Sequence, residues 1–386
     1  MSLLVRRAYV HAGLPKTGTS FLQSTFWSSR DALAAAGLHL LMDKHADHFH
    51  ATLALRDVLD EAMDPPRAFT ALDRLVEAID TADDGDVFFS QEALAGATVE
   101  QAQRLVDLLS GFDVHVILTA RDLARQISSG WQQRIQQRQV HSYEEFLAAV
   151  VARAPLADDF WLNQDLVAAA EHWSSAVGSE RVHIVTVPPS GSDRNLLLAR
   201  FCAVIDIDPA ITTAPVPAGN ESLGLVQAEL LRRVSMALGE RLPHGRAGFG
   251  KVGKRYLAQG ILTPQGGRPP VLPQSLADWC EKTSADVVEQ LRSAGYPVSG
   301  DLHDLLPTVS TAPEPTVTEE ELNESAVAAL ARVLELRHAE LKELDTMRAA
   351  ARKHRQRISQ LTSGEAAARE PRVSLRSLRR RWSSPR

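Results

Sequence analysis

Residues 9–23 read YVHAGLPKTGTSFLQ. An apolar, strand-like run meets Gly13, a short turn follows, and then come Lys16, Gly18 and the hydroxyl residues Thr17, Thr19 and Ser20. Glycines let a backbone approach a ligand closely, and a helix beginning near Thr19 would aim its free N–H groups and positive end at whatever fills the turn. Lys16 adds a mobile point charge and the hydroxyls add donors. The stretch therefore reads as a loop that wraps an anion between a strand and a helix; a solvated turn that simply opens a helix is the plainer alternative. The commonest nucleotide loop has the order GxxxxGK[ST], with its lysine after the second glycine. Here Lys16 precedes Gly18, so that pattern is not met.

Outward from the loop, apolar β-rich runs occur at LLVRRAYVHAG, DVFFS, DVHVILTA and RVHIVTVPP. Helical patterns such as SFLQSTFWSSRDALAAAG and VEQAQRLVDLLSG lie between them. Alternating short strands and helices predict an α/β fold, a parallel β-sheet flanked by helices. Ligands collect at the carboxyl ends of such strands, so chemically capable residues are expected just after the four runs. Beyond about residue 205 the pattern turns helical with basic turns, AELLRRVSMALGERL and then GFGKVGKRYLAQG.

Proline-rich TAPEPTV at 311–317 reads as a linker, which sets one α/β domain at 1–310. A long helix is expected over 318–362, with Thr318 as its N-cap and glutamates in its first turn. Val327, Leu330, Leu334, Leu341 and Leu344 roughly keep a heptad stripe, interrupted by Arg337. The helix either docks on its own domain or forms a short coiled coil that could join two copies. Residues 363–386, rich in arginine and carrying Val373, Leu375, Leu378 and Trp382, are expected to be a disordered basic tail. Peripheral contact with an anionic membrane is its alternative reading.

Composition narrows the class. A chain of 386 residues with 44% hydrophobic and 23% charged residues suits an ordinary globular protein. Cys202 and Cys280 are far apart and give neither a disulfide framework nor metal spacing, so a reducing, cytoplasmic setting is expected. No apolar run approaches the roughly 18 residues of a membrane span, and no cleavable signal pattern is seen. The net charge of -6 argues against nucleic acid as a partner.

PKTGTSF resembles the 5′-phosphosulfate loop of the sulfotransferases that use 3′-phosphoadenylyl sulfate (PAPS), in which Pro-Lys-Ser/Thr-Gly-Thr-Ser/Thr precedes an aromatic or aliphatic residue. A second motif supports the likeness. Those enzymes grip the 3′-phosphate with an arginine at a strand end and a serine eight residues on; here DVHVILTA ends in Arg121, and RDLARQISSGW sets Ser129 at that spacing. A guanidinium pairs bidentately with phosphate and a hydroxyl completes the clamp. The likeness runs over about residues 8–225 and includes FWLNQD, VHIVTVPPSG and GNESLG. It implies a P-loop-like sulfotransferase fold with a helical C-terminal extension and PAPS as donor substrate, with no metal. Donor-binding residues would be Lys16, Thr17, Gly18, Thr19, Ser20, Phe21, Arg121 and Ser129, with Phe21 either against the adenine or in the core. The reaction implied is sulfuryl transfer to a hydroxyl or amine of a carbohydrate, glycolipid or small molecule, with Lys16 at the leaving oxygen.

A base must take the acceptor's proton. Cytosolic relatives use a histidine after the strand that matches DVFFS, and Gln91 stands at that position. Glu92 beside it has suitable chemistry and is the first candidate. His48, from the cluster His45, His48 and His50, is the second, because another branch draws its base from that part of the chain. Relatives also carry an Arg-Lys-Gly element on the 3′-phosphate, for which Lys251 and Lys254 in GKVGKR are the nearest and a poor match. Trp131 and Gln132 are expected to face the acceptor, and Phe49, Tyr143, Phe160 and Trp161 either stack on it or fill the core. A non-catalytic PAPS-binding scaffold and, less well supported, a P-loop kinase are the competing readings.

Overall fold

The computed structural model describes residues 5–82, 84–193, 195–212, 222–243, 248–308 and 316–369, with side chains described to residue 358. Residues 311–315 of the expected linker, 219–221 of GNESLG and the basic tail from 370 onward lie outside them.

Among the described residues six strands form one all-parallel sheet: β1 (Arg7–His11), β2 (Leu38–Leu40), β3 (Asp86–Ser90), β4 (Asp113–Ala120), β5 (Val182–Thr186) and β6 (Val298–Ser299). Their order across the sheet is β2-β3-β1-β4-β5-β6. Helices α1 (Thr19–Ser28) and α2 (Arg30–Ala35) join β1 to β2, α3 (His45–Leu55) and α4 (Ala71–Asp80) join β2 to β3, and α5 (Val99–Leu108) joins β3 to β4. Between β4 and β5 lie α6 (Leu123–Gln136), α7 (Tyr143–Ala152), α8 (Asp158–Gln164) and α9 (Leu166–Val177). Helices α10 (Leu196–Val204), α11 (Leu225–Leu238) and α12 (Ala277–Ala294) precede β6, and α13 (Glu319–Arg369) follows it.

Both faces of the sheet are covered, which is why its strands read as continuous apolar runs rather than alternating ones. Side chains alternate, so Ala8 and Val10 of β1 and Val114, Val116 and Leu118 of β4 pack under Leu105, Ala170 and Trp173 of α5 and α9. Tyr9, Phe88 and Ile117 turn the other way, onto Leu22, Phe26 and Phe201 of α1 and α10. The four strands expected from the sequence all form. Two more do not show in it: β2 and β6 have three and two residues, too few for a period of two to register. SFLQSTFWSSRDALAAAG folds as two helices meeting at Ser29.

The chain divides into two compact units, 1–326 and 327–386. Within the first, Thr318 and Glu321 close a reciprocal cap on α13: the Glu321 amide donates to Thr318 Oγ1 at 3.2 Å and the Thr318 amide donates to Glu321 at 2.9 Å. In the second, Val327, Leu330, Leu334, Leu341 and Leu344 of the stripe are solvent-exposed. No helix of the described residues is long and apolar enough to cross a membrane.

Candidate functional site

Sheet order decides what meets. β1 lies between β3 and β4, and the backbone pairing outlasts the strands: the Gln91 amide donates to His11 O at 3.0 Å, Ala12 to Ile117 O at 3.0 Å and Leu14 to Thr119 O at 2.9 Å. Three carboxyl ends therefore leave the sheet side by side. The chain runs from β1 outward to β2 and β3 on one side, then returns to the other side as β4, a switch point of the kind where open α/β sheets bind ligands. The residues singled out from the sequence as carrying the chemistry follow β1, β3 or β4, apart from the histidines of α3 and Lys251 and Lys254 after β5.

After β1 the loop closes tightly. Gly13 could not be larger, since a Cβ there would lie 2.4 Å from both His11 Nε2 and Thr119 Oγ1. Gly18 has φ +86° and serves as N-cap of α1, and Lys16 itself sits in the left-handed region at φ +68°. No side chain caps α1, and no acidic residue stands in its first turn. That leaves first-turn amides available to an anion, whose charge the helix end favours. Lys16 keeps solvent-exposed surface, and among the described residues its ammonium engages no hydrogen bond or ion pair. Burial lowers its pKa, Lys254 and Arg121 push the same way, and Glu92 opposes them.

The hydroxyls behave differently from the expectation that all three serve the anion. Thr17 is buried; its Oγ1 donates to Leu14 O at 2.5 Å and meets Thr119 Oγ1 at 2.5 Å, so it braces the loop from below. Thr19 is buried too, and only Ser20 is exposed. Phe21 packs partly against the cluster that holds Phe26 and Phe201.

At the end of β4, Arg121 and Ser129 are brought together as their spacing predicts, with Arg121 Nη2 donating to Ser129 Oγ at 2.7 Å. The same nitrogen donates to Arg125 O at 2.8 Å and Gln126 Oε1 at 3.0 Å. Asp122, the neighbouring carboxylate, caps α6 and pairs with Arg125 instead. Arg121 has no ion-pair partner among the described residues, its Nε is buried without a hydrogen bond, and burial, then Arg125, lowers its pKa to about 10. A half-buried guanidinium with an unused N–H and no ion pair among the described residues has the chemistry to take an anionic partner. The residues present thus fit a ligand that is anionic at both ends.

At the end of β3 the question of Gln91 resolves. Its side chain is buried and accepts from the Ala93 amide at 3.4 Å, capping the short turn Glu92–Gly96. Glu92, the first residue of that turn, is half-buried, accepts from Gln23 Nε2 at 3.2 Å and is close enough to act electrostatically on Lys16. His48 is a correction. It is fully buried; Nε2 donates to Leu41 O at 2.6 Å, Nδ1 accepts from the Ser90 amide at 3.2 Å, and burial lowers its pKa to about 4. With both nitrogens used by the backbone it has no lone pair to offer a substrate. His45, exposed at the start of α3, donates from Nε2 to Gln23 Oε1 at 3.1 Å and so shares a buried amide with Glu92.

Trp131 and Gln132 do not face an open site: Trp131 is 2% exposed and donates to His141 O, and Gln132 donates to Leu223 O. Tyr143 and Phe160 are core as well, leaving Phe49 and Trp161 part-exposed. Lys254, named from GKVGKR for the 3′-phosphate, lies on a π-helical stretch, Gly250–Leu262, and its charge acts on Lys16, more than two hundred residues away in sequence. The roles of buried Gln23 and Gln126 and of half-buried Gln164 were also invisible, because such a glutamine looks like any polar helix residue. Among the described residues no group of three or more His, Cys, Asp or Glu is arranged to hold a metal.

No protein-family model matches the chain, and no curated protein is significantly similar to it. A crystal structure of a sulfotransferase from Alicyclobacillus acidocaldarius is similar with a TM-score of 0.35 at 15% sequence identity, over 56% of this chain and 85% of that one. So slight a likeness fixes neither fold family nor activity.

Proposed function

We propose that the chain is a PAPS-dependent sulfotransferase that moves a sulfuryl group to a hydroxyl or amine. The observation that carries this reading is the pair of cations without an ion-pair partner among the described residues, Lys16 and Arg121, on neighbouring strand exits, the first just before the uncapped start of α1 and the second bonded to the Ser129 hydroxyl. Amides at the start of α1 with Ser20 would hold the 5′-phosphosulfate, and Arg121 with Ser129 the 3′-phosphate. Lys254 supplies further positive charge on the same side. Carbohydrate, glycolipid or small hydroxylated acceptors remain the classes proposed.

In the transfer, the acceptor oxygen or nitrogen attacks sulfur in line and the bond from sulfur to the bridging phosphate oxygen breaks. The electron pair stays on the phosphate of the departing 3′-phosphoadenosine 5′-phosphate (PAP), and Lys16 neutralises the charge gathering there. Glu92 takes the acceptor's proton, held toward the site by Gln23. The geometry of the residues favours Glu92 over His48, whose nitrogens are both occupied.

The test is PAP release from PAPS with a panel of hydroxylated acceptors, beside a melting assay with PAP and with ATP. Turnover on some acceptor and stabilisation by PAP are expected. Tight PAP binding with no turnover on any acceptor would favour a scaffold, and stabilisation by ATP but not PAP a kinase.

A further inference from the structure

Gln126, on α6, is 3% exposed. Its carboxamide is used at both ends: Oε1 accepts from Arg121 Nη2 at 3.0 Å, and Nε2 donates to Pro15 O at 3.2 Å and to Gln164 Oε1 at 2.6 Å. Gln164, at the end of α8, donates its own Nε2 to the same Pro15 oxygen at 3.0 Å. The orientation of the Gln126 amide is dictated by its neighbours. A guanidinium only donates, so oxygen must face Arg121; a prolyl carbonyl only accepts, so nitrogen must face Pro15.

Pro15 precedes Lys16, whose φ of +68° is one that a lysine avoids without support. Such a conformation persists only where its surroundings over-determine it. Two amide donors converging on one carbonyl fix the Pro15–Lys16 peptide plane, and with it the direction in which Lys16 leaves the loop. One of those two amides is also the acceptor that holds Arg121.

We infer that Gln126 is a positioning residue that couples the two anion subsites, tying the guanidinium at the end of β4 to the lysine loop after β1, so that a ligand phosphorylated at both ends is bound better than its halves imply. This rests on the donor reading above. Gln164 bonds the loop and Gln126 but not Arg121, and Arg121 touches only one subsite, so the three residues have separable signatures.

Affinities for PAP and for 5′-AMP, which lacks the 3′-phosphate, are measured by calorimetry on the full chain and on Gln126→Met, Gln164→Met and Arg121→Ala, with the ligand-free melting temperature of each. Arg121→Ala should weaken PAP and spare 5′-AMP. Gln164→Met should weaken both equally, by on the order of 10-fold, leaving the PAP to 5′-AMP ratio unchanged. Gln126→Met should do both: weaken 5′-AMP, though it lacks the group Arg121 would bind, and shrink the ratio by a further ~10-fold. A Gln126→Met chain that melts lower but keeps wild-type affinities overturns the inference alone. If Gln126→Met does not fold, Gln164→Met leaving 5′-AMP affinity unchanged overturns it equally. A wild-type chain that binds PAP no better than 5′-AMP overturns the donor reading, and this inference with it.

Discussion

Lys16 and Gly18 adopt left-handed backbone two residues apart, and the chemistry of the loop depends on both. At Gly18 a side chain would have to hold φ +86° and would come within 2.5 Å of Leu197 Cδ2. Gly18→Ala should therefore disturb the turn by roughly 1–3 kcal/mol of strain, seen as weaker PAP binding with little change in the rest of the fold. Lys16→Ala removes the charge at the leaving oxygen and should lower kcat by about 10²–10³ with a smaller effect on PAP affinity. Because burial and two neighbouring cations depress its pKa, Lys16 loses its proton below the ordinary lysine range. The alkaline limb of kcat/KM should accordingly fall below about pH 10.4. Glu92→Gln keeps the contact to Gln23 and removes the base; rates should drop by about 10²–10⁴ while PAP affinity stays as in the wild type. An unchanged rate would transfer the role to another group, for which His45 is the placed alternative.

Among the elements, α13 combines an exposed apolar stripe with strongly segregated charge. From 319 to 345 acidic residues outnumber basic ones by five, whereas 346–358 holds five basic residues and no acidic one. Two such helices side by side in parallel would set like charge against like, and in antiparallel order they would set opposite charge together. Self-pairing through the stripe should thus be antiparallel and weaken with salt. A Val327→Cys chain mixed with an Ile358→Cys or Ala351→Cys chain should form an oxidised heterodimer, with no Val327→Cys homodimer. Light scattering that finds a monomer at all concentrations would dispose of the pairing. The loop histidines show the opposite lesson at this scale: α3 begins with His45 facing the site and, one turn later, sends His48 into the core.

For the molecule as a whole, buried neutral histidines set a pH limit. His11, under the loop, contacts Ser90 Oγ at 2.8 Å and Thr119 Oγ1 at 3.3 Å, and burial lowers its pKa to about 3; His48 lies at about 4 for the same first cause. Their unfolded values are near 6.5, so between about pH 6.5 and 4 the unfolded chain binds protons that the folded chain refuses. The histidine contribution should be flat above neutrality, and stability should fall as pH drops through that window, by up to ~1.4 kcal/mol per pH unit for each histidine. Urea unfolding at pH 7 and pH 5 measures the slope, and His11→Asn should flatten it whatever it does to stability at pH 7. Since His11 and Thr119 also bound Gly13 and Thr17, acid should loosen the loop together with the core.

What the sequence by itself determined is local. The run around PKTGTSF announces a strand, a tight turn and a helix, and the pairing of Arg121 with Ser129, expected from the family resemblance, joins residues only eight apart. The four long strands and the Thr318 cap were legible for the same reason: their signal lies within a few neighbours. Tertiary structure decided everything that depends on adjacency across the sheet. It made β1 the neighbour of both β3 and β4, used Gln91 as a cap and both His48 nitrogens on the backbone, and withdrew Trp131, Gln132 and the Thr17 hydroxyl into the interior. It also joined Pro15, Gln126 and Gln164 through one carbonyl, although 111 and 149 residues of chain separate them. Sequence patterns encode periodicity and caps, but a buried amide earns its role only from partners that the fold brings to it.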